Sequence, residues 1–199
     1  MGTIHPQPIR ILGIGGSTRQ NSTSLALLKA ALDLAEQAGA QTVLADVRAL
    51  GLPIYNPDHP LGDYPATLTW LLDEVRAADA YLLCSPTYHG TVAGGVKNAL
   101  DALNFLGNAA PPYFGGKVVG LLALGGAGAT NVINSLHHAT RALNGLTVPT
   151  TAIVASAALD PNDGTLRDTA AEQRLRQLAT EVITLTERLR HPAARPATT

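Results

Sequence analysis

Short apolar runs alternate with longer amphipathic segments along most of the chain. The apolar runs end at glycine, proline or polar residues, which predicts β-strands over residues 9–14, 42–47, 80–84, 117–124 and 150–155. Between these runs, leucine, valine and alanine recur every three or four positions. That period predicts helices over residues 24–37, 68–75, 95–105, 131–143 and 169–189, the last with a candidate capping box at Thr169 and Glu172.

The predicted order is a strand followed by a helix, five times in succession. Strands that are apolar on both faces and are separated by helices favour a parallel sheet covered on both sides. Five such units are too few for an eight-stranded barrel, so we predict a doubly wound, three-layer α/β/α sandwich. We expect residues 1–199 to form a single domain, with a core over about 9–190 and frayed termini.

Composition narrows the class of function. Of the 199 residues, 46% are hydrophobic and 15% are charged, and 14 Lys and Arg against 15 Asp and Glu give a net charge of −1. We therefore expect no nucleic-acid partner. The longest apolar stretch, residues 118–129, is too short to span a bilayer, so we expect no membrane association. A single cysteine makes an internal disulfide impossible and favours a reducing, cytoplasmic location.

In a doubly wound sheet, ligands bind beyond the carboxyl ends of the strands, here in the loops after strands one, three and four. The first loop, residues 15–24, leads into a helix and places the cation of Arg19 among five hydroxyl side chains: Ser17, Thr18, Ser22, Thr23 and Ser24. Free backbone N–H groups at a helix start bind anions, so we predict a phosphate site. The alternative is a hydroxyl-rich helix cap with no ligand. No Gly-Lys-Ser/Thr follows, so the loop is not a nucleotide-binding P-loop.

The second loop, residues 85–92, contains Pro86, Tyr88 and Gly90 directly after a strand. A rigid turn with an exposed aromatic side chain suits a planar heterocycle, which would lie against the ring of Tyr88. The alternative for Tyr88 is a subunit contact or an ordinary surface position. His89 has no paired acid beside it in the sequence, so we expect a hydrogen-bonding or structural role rather than acid–base catalysis.

The third loop, residues 125–129, has three glycines, which allow either a close approach to a ligand or simple strand–helix packing. Other chemistries have little support. Cys84, at a strand end, is expected to be buried and inert. His137 and His138 are adjacent on a predicted helix and point about 100° apart, so they cannot share a metal. We predict no metal site, and the absence of a Gly-x-Ser-x-Gly motif argues against a serine hydrolase.

Four stretches of sequence carry a further signal when they are taken together and in order. They are residues 16–22 (GSTRQNS), 46–58 (including LPIYNPD), 85–101 (SPTYHG, then GVKNALD) and 116–119 (GKVV). The sequence resembles the NADPH-dependent FMN reductases, a family of the flavodoxin-like fold that includes quinone, chromate and azo reductases and the flavin reductases that supply monooxygenases. Two departures stand out: Val96 replaces the usual leucine, and His89 stands where many members have asparagine.

The resemblance implies a five-stranded parallel sheet in the order 2-1-3-4-5 and a bound FMN. The residues that would hold the FMN phosphate are Ser17, Arg19, Ser22, Thr23 and Ser24. Those that would line the isoalloxazine ring are Pro86, Thr87, Tyr88, His89 and Gly90, with Gly125 and Gly126 along its other edge. The flavin carries the chemistry in this family, so we expect no catalytic side chain.

The resemblance also implies an activity: NADPH or NADH would pass a hydride to flavin N5, and a small acceptor would then take the electrons. The acceptors of such enzymes are quinones, azo compounds, metal oxyanions or free flavin. Family members form homodimers or homotetramers, and a flavin-dependent monooxygenase is a further candidate partner.

Three alternatives stay open at this point. The first is a reductase that releases reduced FMN as its product. The second is a flavodoxin-like electron carrier or flavin-binding protein without NAD(P)H activity, which a net charge of −1 disfavours because such carriers are typically acidic. The third is a Rossmann-type NAD enzyme with Asp46 as its ribose-binding acid, which the Thr18 and Arg19 loop disfavours.

Overall fold

The computed structural model describes residues 7–160 and 164–190. Within them, five parallel strands form the central sheet: β1 (Arg10–Gly15), β2 (Gln41–Asp46), β3 (Ala80–Tyr88), β5 (Val118–Leu124) and β6 (Leu146–Val154). A two-residue strand, β4 (Thr91–Val92), pairs antiparallel with the end of β3. The sheet order is β2-β1-β3-β5-β6, which confirms the predicted 2-1-3-4-5 order once β4 is set aside. The expectation of frayed termini concerns residues 1–8 and 191–199, of which residues 1–6 and 191–199 lie outside the described residues.

Five of the helices lie where the apolar period predicts them, with small shifts at their ends, and the short helix α2 was not predicted. They are α1 (Thr23–Gln37), α2 (Val47–Leu50), α3 (Ala66–Ala77), α4 (Gly94–Ala102), α5 (Ala129–Ala142) and α6 (Thr169–Arg190). Among the described residues, no helix is both long enough and apolar enough to cross a membrane. The capping box was wrong in detail, because Asp168 rather than Thr169 caps α6: its carboxylate accepts a hydrogen bond from the backbone N–H of Ala170 at 2.9 Å.

The two faces of the sheet bury separate apolar cores, as a three-layer sandwich requires. Along β3, Tyr81 and Leu83 point into the layer beneath α3, α4 and α5. Leu82 and Cys84 point into the layer beneath α1 and α6. Every one of these side chains is fully buried, which explains why β3 reads as a continuous apolar run instead of an alternating one.

Strand β6 begins four residues earlier than its apolar run suggests, because Pro149 interrupts the pattern. The pairing register of β5 and β6 shifts between Val119 and Leu121, opposite this proline. Proline has no N–H to donate, so it suits such an irregularity. Helix α6 supplies the missing partners: the carboxylate of Glu181 accepts hydrogen bonds from the Thr150 backbone N–H at 2.9 Å and from the Thr150 hydroxyl at 2.7 Å.

This contact predicts a pH dependence of stability. Burial alone would raise the pKa of Glu181, but the hydrogen bonds from Thr150 and Gln177 outweigh it and hold the pKa below the ordinary value of 4.5. A carboxylate with a lowered pKa in the folded state stabilises the fold above its ordinary pKa. That stabilisation is lost as the pH falls through the lowered value.

We expect Glu181→Gln to lower the free energy of unfolding at pH 7 by about 0.5–1 kcal/mol, a shift of ~2 °C in melting temperature. The difference from wild type should shrink as the pH falls below about 4.5, measured by thermal unfolding at a series of pH values. Glu187→Gln, at an exposed position on the same helix, is the control. A difference independent of pH would contradict the assigned role.

Candidate functional site

The carboxyl ends of β1, β3 and β5 lie side by side at one edge of the sheet. The three loops singled out in the sequence follow these strands, so the fold brings them to a single edge. The first loop contacts the strand that leads into the second loop: the backbone N–H of Gly16 donates to the carbonyl oxygen of Cys84 in β3 at 3.3 Å. A β-carbon at Gly95, at the start of α4, would lie 3.7 Å from the Thr18 methyl group. Helix α4 therefore begins against the first loop.

Two glycines let the chain leave β1 at this point. A β-carbon at Gly15 would lie 2.2 Å from the carbonyl oxygen of Cys84, which is closer than any side chain can approach. Gly16 has a φ of +96°, in the region that favours glycine. The chain that leaves β1 thus passes close against the neighbouring strand β3 before α1 begins.

Buried serine hydroxyls form a chain at the start of α1. Ser17 Oγ donates to Ser22 Oγ at 2.9 Å, and Ser22 Oγ shares a hydrogen bond of 3.0 Å with Ser24 Oγ. Ser22 Oγ also accepts from the backbone N–H of Leu25 at 3.2 Å, so Ser22 is the N-cap of α1. The cap interpretation and the anion-site interpretation are therefore compatible, because the cap uses only the Leu25 N–H and other N–H groups of a first helical turn have no partner within the helix.

The cation of this loop is exposed. The backbone N–H of Arg19 donates to Ser17 Oγ at 3.4 Å, whereas its guanidinium makes no hydrogen bond or ion pair within residues 7–160 and 164–190. No Asp or Glu occurs between Gly16 and Ser24. A free guanidinium beside the positive end of a helix can hold a phosphate group. Thr23, the first residue of α1, lies half-buried next to the cap.

Asp46 lies at the end of β2, next to the first loop. Its carboxylate accepts a hydrogen bond of 3.0 Å from the backbone N–H of Arg48 and so caps α2. This capping role explains the aspartate at the end of β2 without the ribose-binding role that a Rossmann-type NAD enzyme would give it.

The second loop is a β-hairpin, and in this the structure differs from the sequence prediction. Strand β3 continues four residues beyond Cys84 and turns at His89 and Gly90 into β4. Ser85 and Pro86 had suggested a strand end, but β3 is an interior strand here, and Pro86 pairs with Leu124. The hairpin places the ring of Tyr88 on the surface, 42% exposed.

The turn explains the residue types at its tip. His89 has a φ of +49° and Gly90 a φ of +79°, the signature of a type I′ turn, which matches the twist of the two strands. Asparagine and histidine tolerate this left-handed region better than most residues. The presence of histidine where many relatives have asparagine thus has a backbone reason that needs no contact with a ligand.

Two residues that sequence reasoning did not single out hold these loops. Ser85 Oγ accepts from the Ala93 backbone N–H at 2.9 Å, which closes the base of the hairpin. Asn98 accepts from the Tyr55 N–H and donates to the Pro53 carbonyl oxygen, each at 2.8 Å, and so clamps the loop after β2 onto α4. Both lie inside motifs quoted above, but only their spatial partners reveal their roles.

Cys84 is completely buried, as predicted. Its Sγ donates a hydrogen bond to the Ser24 carbonyl oxygen at 3.3 Å. Burial raises the pKa of the thiol far above its ordinary value, so it stays protonated and cannot act as a nucleophile.

His137 and His138 line a cleft with Arg141 at the opposite edge of the sheet. No three metal-ligating side chains cluster in the described part of the chain.

Comparison with known proteins decides the family. The sequence model of the family described as NADPH-dependent FMN reductase matches residues 9–160. The chain belongs to the NADPH-dependent FMN reductase family. That match includes all four stretches on which the resemblance was based, so the prediction of the family is confirmed.

Individual relatives agree with the family assignment. The chain is 31% identical over 139 residues to a probable NADPH:quinone oxidoreductase of Oryza sativa subsp. japonica, a match to 69% of this chain and 65% of the relative. It is 39% identical over 93 residues to an NAD(P)H-dependent FMN reductase of Pseudomonas aeruginosa, covering 47% and 49%. The chain thus spans about half to two thirds of the length of these curated relatives.

A solved structure extends the likeness to nearly the whole fold. FerB, a flavoenzyme NAD(P)H:(acceptor) oxidoreductase from Paracoccus denitrificans, superimposes with a TM-score of 0.71 at 22% identity, over 90% of this chain and 98% of FerB. At this identity, the likeness concerns the fold. Together with the strand order, it confirms the predicted flavodoxin-like sandwich.

In this FMN reductase family member, the predicted site residues all lie at or just beyond the carboxyl ends of three neighbouring strands. Those of the first loop are Ser17, Arg19, Ser22, Thr23 and Ser24. Those of the hairpin are Pro86, Thr87, Tyr88, His89 and Gly90. Gly125, with a φ of +149°, and the exposed Gly126 begin the loop after β5.

The geometry of the hairpin tip yields a stability prediction. His89→Asn should leave the melting temperature nearly unchanged, because asparagine accepts the left-handed backbone. His89→Val should cost about 1–2 kcal/mol, because a β-branched side chain clashes in that conformation. Thermal unfolding of the two variants measures the difference. Equal stability of the two variants would show that the turn does not hold His89 at positive φ.

Proposed function

We propose that the protein is an FMN-dependent NAD(P)H oxidoreductase that reduces a small acceptor. The observation that carries the proposal is the meeting, at one edge of the sheet, of a serine-rich helix start, with an arginine that is unpaired among the described residues, and a β-hairpin packed against a glycine loop. The first suits the phosphate of a flavin mononucleotide and the second suits its planar ring. The family assignment and the names of the relatives support the same function.

The residues present fit the cofactor. The phosphate would be held by the backbone N–H groups of the first loop and by Ser17, Arg19, Ser22, Thr23 and Ser24. The ring would lie between the hairpin Pro86, Thr87, Tyr88, His89 and Gly90 on one side and Gly125 and Gly126 on the other. The first loop carries no acidic side chain, and its one cation is unpaired in the described part of the chain.

A bound FMN would supply the redox chemistry, hydride acceptance from NAD(P)H and electron transfer to the acceptor. The protein residues bind and orient rather than transfer protons, so we propose that no side chain acts as acid or base. Tyr88 offers an exposed ring beside the proposed flavin position. Its contribution would be a flat apolar wall that limits where the nicotinamide and the acceptor lie.

The acceptor, the assembly and the location are also proposals. Relatives named quinone oxidoreductase and azoreductase support a planar, conjugated acceptor such as a quinone or an azo compound. We further propose a cytoplasmic homodimer or homotetramer whose chain is a single folding unit. A monooxygenase partner would apply only to a form that releases reduced FMN. Sedimentation tests the assembly, cell fractionation tests the location, and the number of unfolding transitions tests the single folding unit.

The decisive experiment is reduction of the protein loaded with FMN. We expect the protein to bind FMN, and NADPH or NADH to bleach the flavin absorbance in the absence of oxygen. A quinone should then restore the absorbance, and steady-state kinetics should follow a ping-pong pattern because one open flavin face serves both substrates in turn. Flavin binding without reduction by either nucleotide would favour the electron-carrier alternative. Intersecting lines in double-reciprocal plots would favour free FMN as a substrate.

A substitution tests the phosphate site directly. Arg19→Ala should weaken FMN binding about ten- to hundredfold, because a charged hydrogen bond of roughly 1.5–3 kcal/mol is lost. Fluorescence titration of FMN gives the dissociation constant. Arg141→Ala removes another exposed arginine at the opposite edge and is the matched control. Unchanged affinity in the Arg19 variant would remove the residue from the site.

A further inference from the structure

We propose that Thr87 is a positioning residue whose side chain locks the hairpin to the glycine loop after β5, so that the two walls of the ring site form one rigid unit. The inference rests on the proposed function, because it concerns the site assigned to the flavin ring. It changes the expected role of Thr87. Its backbone would line the site, while its side chain points into the protein, where its hydroxyl is hydrogen-bonded to another strand.

The hydroxyl of Thr87 has a fixed partner. Thr87 Oγ1 donates to the carbonyl oxygen of Leu124 at 3.1 Å. Leu124 is the last residue of β5, and the next residue, Gly125, donates its N–H to the Val154 carbonyl oxygen at 3.0 Å. One hydrogen bond therefore connects the hairpin to the point where the glycine loop leaves the sheet.

The rest of the Thr87 side chain fills the space that two glycines leave. A β-carbon at Gly125 would lie 2.5 Å from Thr87 Oγ1 and 3.0 Å from Thr87 Cβ. A β-carbon at Gly128 would lie 2.9 Å from Thr87 Cγ2. Gly128 has an ordinary φ of −84°, so its backbone does not require glycine. Steric exclusion by Thr87 is what keeps this position free of a side chain.

A second tether holds the other side of the hairpin. Thr91 Oγ1 shares a hydrogen bond of 3.0 Å with Ser135 Oγ of α5. A β-carbon at Gly128 would also lie 3.3 Å from the Gly90 Cα, so the tip of the hairpin rests on the same loop. The hairpin is thus seated along the glycine loop from Thr87 to its tip. A cavity whose walls are fixed before binding loses less entropy when a rigid ring enters it.

The test enlarges the side chain at Gly128 and reduces the one at Thr87, first separately and then together. Gly128→Ala should raise the dissociation constant for free FMN about tenfold, equivalent to ~1.4 kcal/mol, because the added methyl group pushes the two walls apart. Thr87→Ser removes the clashing Cγ2 but keeps the hydroxyl. The double variant should therefore bind FMN within about threefold of Thr87→Ser alone. Gly62→Ala, where an added β-carbon meets no atom within 4 Å, is the control.

Thr87→Val separates the hydrogen bond from packing and remains informative if Gly128→Ala does not fold. Valine keeps the shape but leaves the Leu124 carbonyl oxygen without its donor, so FMN affinity should fall about two- to tenfold, and more than in Thr87→Ser. The bound-flavin absorbance band of the valine variant should shift relative to wild type, which a purely global loss of stability would not cause.

The wild type, the two single variants Gly128→Ala and Thr87→Ser and their double variant form a double-mutant cycle. Their melting temperatures, measured without FMN, give a second reading of the same contact. Rescue of Gly128→Ala by Thr87→Ser in this assay supports the contact even if wild type binds no FMN, in which case the proposed function fails and the coupling stands. Strictly additive effects in both assays would overturn the inference. Equal FMN affinity in the valine variant and wild type would also overturn it.

Discussion

The close approach of the chain after β1 to β3 is the contact on which the candidate site depends. At Gly15, the chain passes so close to the Cys84 carbonyl group that only a hydrogen atom fits, and the next N–H, of Gly16, bonds to that same carbonyl oxygen. This contact fixes where the first loop begins relative to the hairpin. The serine chain then fixes where α1 begins. The pairing of β1 with β3 thereby sets the distance between the first loop and the hairpin.

A second close approach between a glycine loop and β3 occurs on the other side of that strand. Thr87 occupies the room that Gly125 and Gly128 leave, just as the Cys84 carbonyl group occupies the room that Gly15 leaves. Glycine in these loops therefore has two uses: a positive φ at Gly16 and Gly125, and the absence of a side chain at Gly15 and Gly128. At Gly15 and at Gly128, the space that a side chain would need is filled by an atom of β3.

The strand and helix periods were sufficient to predict the layers and the class of sheet, because burial of both faces of a parallel strand leaves an unmistakable apolar run. The hairpin could not be predicted in the same way. Ser85 and Pro86 are typical of a strand end, and His89-Gly90 is a weaker signal for a type I′ turn than Asn-Gly. Pro149 similarly concealed the first half of β6.

Within the site, the sequence motifs identified which loops matter but not what their side chains do. Asn98 and Thr87 both lie in quoted motifs, yet their partners, Pro53, Tyr55 and Leu124, are far away in the chain. Such pairings depend on tertiary geometry, which local pattern does not encode. Ser22 shows the opposite case, since its role as a cap follows from its place just before an apolar helix.

The irregularity at Pro149 also bears on how copies of the chain can meet. β6 is an outermost strand, and an outermost strand normally offers its backbone groups to any extended segment that comes near. Here, proline has no N–H, the Thr150 N–H is bonded to Glu181, and the Thr151 carbonyl oxygen accepts from Arg174 at 3.0 Å. Three consecutive positions are thus closed to templated strand addition. The proline and the fold's own last helix therefore oppose the addition of a strand at the middle of β6, between its two halves.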